Sequence, residues 1–362
     1  MLTAAAVFIL VMMLAWANGA NDIAKGVATL VGNGTTGARR AVLWGTLWTL
    51  IGGLTAIIWG AALLKTFSTG YLSPGFSVDT TFLVGTLAGA ACWVLAATRL
   101  GLPVSTTHAL LGGIVGAALV AAGPQALHTA AVTNKALLPL LLSPLIAVAL
   151  CVLLLLAARV VAKKVPAWAP GCCDPQEWRK NPYVCATPSR TRAELASAER
   201  VWTALHWLSG AAISFARGLN DVPKIAAFLV IAVVTVPGAE RIAGQFNATW
   251  AIVAVALAMA CGCLWGGFRI LNVLAHRVTP LDASSGLVAN LATSMLVLAA
   301  SPLGLPVSTT HVAAGSLMGI RWLQKTRPDH ADALKMILFG WIVTLPVAAA
   351  IAALASWSLN HI

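Results

Sequence analysis

Charged side chains are scarce in this sequence of 362 residues and account for 9% of them. A water-soluble domain normally carries about 25% charged residues, so the chain has too few to cover a soluble body of its size. Acidic residues are especially few, with 11 Asp and Glu against 23 Lys and Arg and a net charge of +12. This basic surplus does not indicate a nucleic-acid partner, because membrane proteins concentrate Lys and Arg in their cytoplasmic loops.

Long apolar runs are abundant, and 59% of the residues are hydrophobic. The longest runs cover residues 41–64, 136–158, 250–268 and 336–357. Each is close to the ~20 residues that a helix needs to cross a hydrocarbon core of ~30 Å. The apolar residues do not alternate with polar ones, which argues against a transmembrane β-barrel. The sequence therefore predicts an all-α polytopic membrane protein with roughly 10–12 membrane segments.

Two further absences narrow the interpretation. No Lys or Arg precedes the apolar segment Met1–Ala17, so it lacks the positive region of a cleaved signal peptide, and we expect it to stay in the membrane. The seven cysteines follow no disulfide framework. Cys172, Cys173 and Cys185 share one polar stretch, but no fourth ligand at zinc spacing accompanies them. We expect no metal site and no cofactor apart from a coupling ion.

A repeated segment divides the chain into two halves. Leu100–His108 recurs without a change 203 residues later as Leu303–His311. A second match, at an offset of 199, pairs Gly19–Lys25 with Gly218–Lys224. Such repetition indicates a tandem duplication. We predict a membrane repeat at residues 1–158, a cytoplasmic central loop at residues 159–200 and a second membrane repeat at residues 201–362.

The distribution of basic residues predicts how the halves are oriented. The central loop holds eight Lys and Arg against four acidic residues, which favours a cytoplasmic location. The more basic loops of one half, such as that of Arg39 and Arg40, correspond to sparser loops in the other half. This pattern is typical of inverted repeats. Phe82–Val120 and Ser285–Ile320 each return the chain to the side they left, as a re-entrant hairpin or as two full crossings.

The repeated segment combines a helix break with a helix start. Gly101 and Pro103 end one helix, and Ser105 is a good N-cap for the next. A helix start inside a membrane offers unpaired N–H groups and the positive end of the dipole, which suit an oxyanion. Because the motif occurs twice, we predict a tetrahedral anion held from both sides. The predicted ligands are Ser105, Thr106, Thr107, Ser308, Thr309 and Thr310.

Asn-Asp pairs form the second set of candidate residues. A carboxylate in a membrane costs ~3 kcal/mol or more, so it normally faces a cavity or a partner. Asp22 and Lys25 have i, i+3 spacing and can pair on one helix face, either as a structural ion pair or as part of a coupling site. We predict ion coupling at Asp22, Asp221, Lys25 and Lys224, and anion contacts from Asn21, Asn220 and Arg217. Secondary candidates are His108, His311, Asp79 and Asp282.

These paired motifs resemble those of the inorganic phosphate transporter family, PiT, which includes some sulfate permeases. The likeness covers both halves: Gly-Ala-Asn-Asp at Gly19–Asp22, Gly-Leu-Asn-Asp at Gly218–Asp221, and both Pro-Val-Ser-Thr-Thr-His segments. The resemblance implies transport of phosphate coupled to Na⁺ or H⁺, an anion held between two hairpins, and a homodimer. Many sodium-coupled members carry Asn where this chain has Lys25 and Lys224, and an ammonium group there can occupy the place of a bound cation.

We expect a multi-pass protein of the plasma or inner membrane that imports phosphate by alternating access, with membrane lipid around it. Sulfate is the main alternative, and phosphate is favoured because it can donate a proton to Asp22 or Asp221. An intramembrane hydrolase is remote, because Ser105 and His108 share one helix turn and no Gly-x-Ser-x-Gly elbow is present. An anion channel is the third alternative. We therefore expect a transporter and not an enzyme.

Overall fold

The computed structural model describes residues 2–164, 192–236, 247–276, 283–324 and 331–361. In this part of the chain the repeating structure is helical, and an isolated β-bridge joins Leu72 to Leu127. Nine of the described helical stretches are long and apolar enough to cross a membrane, judged by length and composition. The predicted all-α polytopic fold is confirmed.

The main described helices are grouped here by the half of the sequence repeat in which they lie. The first half forms α1 (Leu2–Gly32), α2 (Ala38–Trp59), α3 (Ala61–Ser68), α4 (Thr80–Leu100), α5 (Thr106–Ala122) and α6 (Leu138–Lys164). The second half forms α7 (Arg192–Thr235), α8 (Ala248–Trp265), α9 (Phe268–His276), α10 (Ala283–Ala300), α11 (Thr309–Gln324) and α12 (Ala331–Leu359). Helices α6 and α7 extend into both ends of the predicted central loop, whose residues 165–191 lie outside the described residues.

Each repeated segment breaks a helix as predicted. Helix α4 ends at Gly101, whose φ of 76° lies in the left-handed region that favours glycine. Gly304 has the equivalent φ of 67°, after a short 3₁₀ turn at Ser301–Leu303. Ser105 then caps α5, and its Oγ accepts a hydrogen bond from His108 N. The result is two helical hairpins, α4–α5 and α10–α11.

The tip of the first hairpin is buried against the body of α1 and does not reach a helix end. Val104 and Ser105 are at most 1% exposed, and the tip is hydrogen-bonded to Asn21 within α1. The second arms are also short, with 17 residues in α5 and 16 in α11. At 1.5 Å per residue such an arm measures about 25 Å, less than the ~30 Å hydrocarbon core. The buried tip favours a re-entrant hairpin, whereas the length and composition of α4, α5 and α10 also permit full crossings.

Each hairpin packs on the last helix of the other half, α5 on α12 and α11 on α6. Equivalent glycines permit these close approaches. A Cβ added at Gly112 would lie 2.4 Å from Leu345 O, and one at Gly315 would lie 2.5 Å from Pro144 O. The two hairpins therefore make equivalent contacts with the halves exchanged. The inverted orientation of the two halves in a membrane stays a prediction.

Glycines also hold the Asn-Asp segments in place. A Cβ at Gly19 of α1 would lie 2.0 Å from Met259 O of α8, and one at Gly218 of α7 would lie 2.1 Å from Thr49 O of α2. The backbones touch at these points because glycine has no side chain. The Asn-Asp pairs follow within three residues, so these contacts fix their position along the hairpin tips.

Candidate anion and cation site between the hairpin tips

Asn21 fastens the tip of the first hairpin to α1. Its Nδ2 donates hydrogen bonds to Leu102 O at 3.1 Å and to Thr98 Oγ1 at 3.0 Å. Its Oδ1 accepts from Val104 N at 3.3 Å. These bonds satisfy backbone groups that the helix break leaves unpaired inside the protein. The structure gives Asn21 the role of supporting the tip, and its predicted contact with the anion stays a prediction.

Asn220 holds the tip of the second hairpin through equivalent hydrogen bonds. Its Nδ2 donates to Val307 O at 3.3 Å and to Asp221 Oδ1 at 2.9 Å, and its Oδ1 accepts from Ser301 Oγ at 3.3 Å. Ser301 stands in the repeat where the first half has Thr98, so the hydroxyl contact is retained in both halves. Asn21 and Asn220 thus set the position of the two tips relative to the carboxylates beside them.

Lys25 joins the two hairpins. Its ammonium group donates to Asp22 Oδ1 and to Val104 O of the first tip, the latter at 3.2 Å. It also donates to Thr310 Oγ1, which belongs to the second tip. Lys25 is only 4% exposed, so its charge depends on these partners.

Lys224 makes the reciprocal contacts. It donates to Asp221 Oδ1 at 3.3 Å, to Val307 O of the second tip at 3.1 Å and to Thr107 Oγ1 of the first tip at 2.9 Å. The partners of each ammonium group are a carboxylate, a carbonyl and a hydroxyl oxygen. Hard metal cations choose the same types of oxygen ligand. Both lysines therefore lie where oxygen atoms converge as they do around a bound cation.

The carboxylates of Asp22 and Asp221 differ in the polar neighbours of their Oδ2 atoms. Asp22 Oδ2 lies 3.4 Å from Asn18 Nδ2 and 3.4 Å from Thr309 Oγ1. Asp221 Oδ2 is buried and has no hydrogen-bond partner among the described residues. An unpaired buried carboxylate oxygen is costly, and it is well suited to accept a proton or a hydrogen bond.

Asn18 belongs to the site although the sequence did not single it out as a ligand. It is fully buried, and its Nδ2 also donates to Thr106 Oγ1 at 2.9 Å. The available signal was its position one helix turn before Asp22 in an otherwise apolar segment. Thr106 and Thr309 therefore contact residues of α1, and Thr107 and Thr310 contact the lysines.

The two repeats also meet at a histidine pair. The rings of His108 and His311 lie 4.4 Å apart between centroids, and the ring of His311 lies 4.0 Å from that of Trp341 in α12. His108 Nδ1 is 2.9 Å from Ser105 Oγ. Ser308 Oγ accepts from His311 N at 3.2 Å, which is the capping bond of the second tip. The helix starts of both hairpins are thus adjacent, as expected for an anion held from two sides.

Two comparisons with known proteins bear on this geometry. A family model described as the phosphate transporter family matches residues 18–352. The chain belongs to this family. The fold is similar to that of a solved protein described as the sodium-dependent phosphate transporter, with a TM-score of 0.79, 24% identity and full coverage of both chains.

Two curated relatives match this chain over nearly its full length and nearly their own. A protein of Rhizobium meliloti described as a probable low-affinity inorganic phosphate transporter is 27% identical, over 95% of this chain and 92% of its own. A protein of Bacillus subtilis with the same description is 26% identical, over 95% of this chain and 93% of its own. Both relatives are described as probable transporters, which agrees with the expectation that the chain is a transporter.

Arg217 lies away from the hairpin tips of this phosphate transporter family member. It is 1% exposed, and its Nη2 donates to Thr49 Oγ1 at 2.6 Å and to Cys263 Sγ at 3.2 Å. Thr49 is in α2 and Cys263 in α8, and neither contact was predicted from the sequence. Nε and Nη1 have no partner among the described residues. The guanidinium group therefore has unused donors, and its contact with an anion stays a prediction.

The remaining candidates are not assembled with the site. Asp79 is exposed and caps α4, where its Oδ1 accepts from Phe82 N at 2.7 Å. Asp282, Cys172, Cys173 and Cys185 lie outside the described residues. Within the described ranges, no group of three or more His, Cys, Asp or Glu has the geometry to hold a metal ion.

Proposed function

We propose that this chain imports inorganic phosphate across the cell membrane by alternating access. The observation that carries the proposal is that the two helix starts lie side by side, together with an excess of positive charge buried in the described structure. The five charged side chains that are buried in the described structure are Asp22, Lys25, Arg217, Asp221 and Lys224. When all are ionised, three cations against two anions leave one positive charge in excess. Two helix starts add the positive ends of their dipoles.

The unpaired carboxylate oxygen supports phosphate over sulfate. At neutral pH phosphate still carries a proton, so a P–OH group can donate a hydrogen bond to Asp221 Oδ2. Sulfate has no proton to donate, and its oxygens would be repelled by the same carboxylate. Discrimination of this kind is strong when a buried polar group is left unpaired by the wrong substrate.

The lysines support proton coupling over sodium coupling. Each ammonium group already occupies an oxygen-lined position of the kind that a sodium ion would require. A compact ammonium group is a point charge and can replace a metal cation in such a position. Transport would then respond to the proton gradient, through protonation of Asp22, Asp221 or phosphate itself, without a sodium gradient.

The expected location is the plasma or inner membrane, with the central loop in the cytoplasm. We also propose that the protein forms a homodimer, as the family resemblance implies.

Uptake of radiolabelled phosphate into proteoliposomes tests the proposed function. We expect the labelled phosphate to accumulate inside the proteoliposomes. Excess unlabelled phosphate should abolish this accumulation, and the same concentration of sulfate should reduce it little. Unlabelled phosphate preloaded inside the proteoliposomes should accelerate uptake of the labelled phosphate, because a carrier shows counterflow and a channel does not. Transport of sulfate in preference to phosphate, or flux without counterflow, would contradict the proposal.

A further inference from the structure

A row of polar residues leads away from the central site along α1. Thr29 and Asn33 follow Lys25 at intervals of four residues and so lie on the same side of the helix. His206 of α7 connects them. Its Nε2 is 3.1 Å from Thr29 Oγ1, and its Nδ1 is 3.0 Å from Asn33 Nδ2. His206 is fully buried, and Asn33 is partly exposed where α1 ends.

Helix α10 completes this polar row. Asn290 Nδ2 donates to Thr29 Oγ1 at 2.8 Å and to Ser209 Oγ at 3.1 Å. Gly286 leaves space for the histidine ring, because a Cβ there would lie 2.9 Å from His206 Nε2. A narrow cavity runs beside these groups, with room for about one water molecule. Its polar lining consists of Lys25, Thr29, Asn290, Thr293 and Thr310.

The repeat makes it possible to compare this row with its counterpart in the other half. At the offset of 199, His206 corresponds to Val7 and Thr29 to Phe228. At the offset of 203, Gly286, Asn290 and Thr293 correspond to Leu83, Leu87 and Ala90. All five counterparts are apolar and at most 1% exposed. If the repeats are inverted, the polar row and the apolar set lie on opposite sides of the central site.

We propose that the polar row is the path by which the central site exchanges water and phosphate with the cytoplasm, and that His206 closes it. The hydrogen bonds of His206 tie α7 to Thr29 of α1 and to Asn33 just after α1 across this path. The apolar set seals the opposite side. The inference rests on the proposed function, and the cytoplasmic assignment follows from the basic residues near both helix ends, Arg39 and Arg40 after α1 and the central loop before α7.

Thr293 and Ala90 offer a matched pair for a test, since they are small, equivalent in the repeat and at most 1% exposed. Thr293→Cys and Ala90→Cys are made separately in a cysteine-free background, and a membrane-impermeant thiol reagent is applied to inside-out vesicles. We expect several-fold faster modification at position 293 than at 90. Saturating phosphate should slow the modification at position 293, because an occupied site blocks the path. Equal rates at the two positions, or faster modification at position 90, would overturn the inference.

Two variants test the closing role of His206. His206→Ala removes the bonds to Thr29 and Asn33, and Gly286→Ala displaces the ring by steric contact while leaving those groups intact. Both should speed modification of Cys at position 293 and leave position 90 unchanged. If neither variant speeds modification of Cys at position 293 while the protein stays folded, His206 does not close the path. Phosphate uptake is measured separately in proteoliposomes that contain the same variants. Its absence would contradict the proposed function, whereas normal uptake with position 293 unreactive throughout would contradict only the path.

Discussion

Lys25 and Lys224 make the same contacts with the two halves of the protein exchanged. Lys25 reaches Thr310 of the second hairpin, and Lys224 reaches Thr107 of the first. Each ammonium group therefore ties the hairpin of its own half to that of the other half. Any movement that separates the tips must break or exchange these contacts.

Replacement of both lysines tests their role as built-in cations. In the Lys25→Asn, Lys224→Asn double variant, asparagine oxygens replace the ammonium groups, and the positions become suited to a sodium ion. We expect impaired phosphate uptake without sodium and partial recovery as sodium is added. Initial uptake rates at several sodium concentrations measure this effect. If the lysines instead bind the anion directly, phosphate affinity will fall equally at every sodium concentration.

The two hairpins should contribute comparably to substrate binding. Alanine at Ser105, Thr106 and Thr107 removes three hydroxyls from the first tip, and the same change at Ser308, Thr309 and Thr310 removes them from the second. With each lost hydrogen bond contributing about 0.5–1.5 kcal/mol, uptake should fall roughly tenfold or more in each variant. Each variant serves as the control for the other. Normal uptake by either one, correctly inserted, would contradict a two-sided site.

Asp221 should control the choice between phosphate and sulfate. Asp221→Asn keeps the size of the side chain and removes the charged acceptor at Oδ2. Hydrogen bonds to charged groups contribute about 1.5–3 kcal/mol, so the preference for phosphate should fall about tenfold or more. Competition of sulfate with labelled phosphate measures the preference. Asp79→Asn is the matched control, because Asp79 is an exposed helix cap and asparagine caps equally well. An unchanged preference in Asp221→Asn would remove Asp221 from substrate selection.

The close packing of α5 on α12 should not tolerate a side chain. A Cβ at Gly116 would lie 2.1 Å from Ala349 O, so Gly116→Ala must push the helices apart. Overpacking of this kind costs about 1–3 kcal/mol, and we expect a lower thermal midpoint in detergent. Gly37→Ala is the control, since nothing lies within 4 Å of the added Cβ. Equal midpoints for the two variants would mean that the hairpin packs less closely on α12.

Opposite orientation of the halves is tested by thiol labelling in intact cells. A cysteine at Gln125, exposed after α5, should react with an impermeant reagent added outside. A cysteine at Gln324, at the end of α11, should be shielded. Reaction of both positions from one side would contradict the inverted repeat.

The sequence was most informative where a local rule applies. The duplicated segment predicted both helix breaks, because glycine, proline and an N-cap serine act on their own backbone. It also predicted the pairing of Asp22 with Lys25, which are three residues apart on one helix. It did not predict that Lys25 would reach Thr310, because that contact depends on how helices far apart in the chain pack together. Asn18 and His206 were missed for the same reason, since a single polar residue in an apolar helix does not reveal its partner.

Phosphate uptake into proteoliposomes in sodium-free buffer, with an imposed pH gradient, tests the central claim most directly. If the ammonium groups of Lys25 and Lys224 stand in for coupling cations, uptake will proceed without sodium. It will then increase when the outside is made more acidic than the inside. Added sodium will change the rate little. A protein that takes up phosphate only when sodium is present, regardless of the pH gradient, would contradict the account.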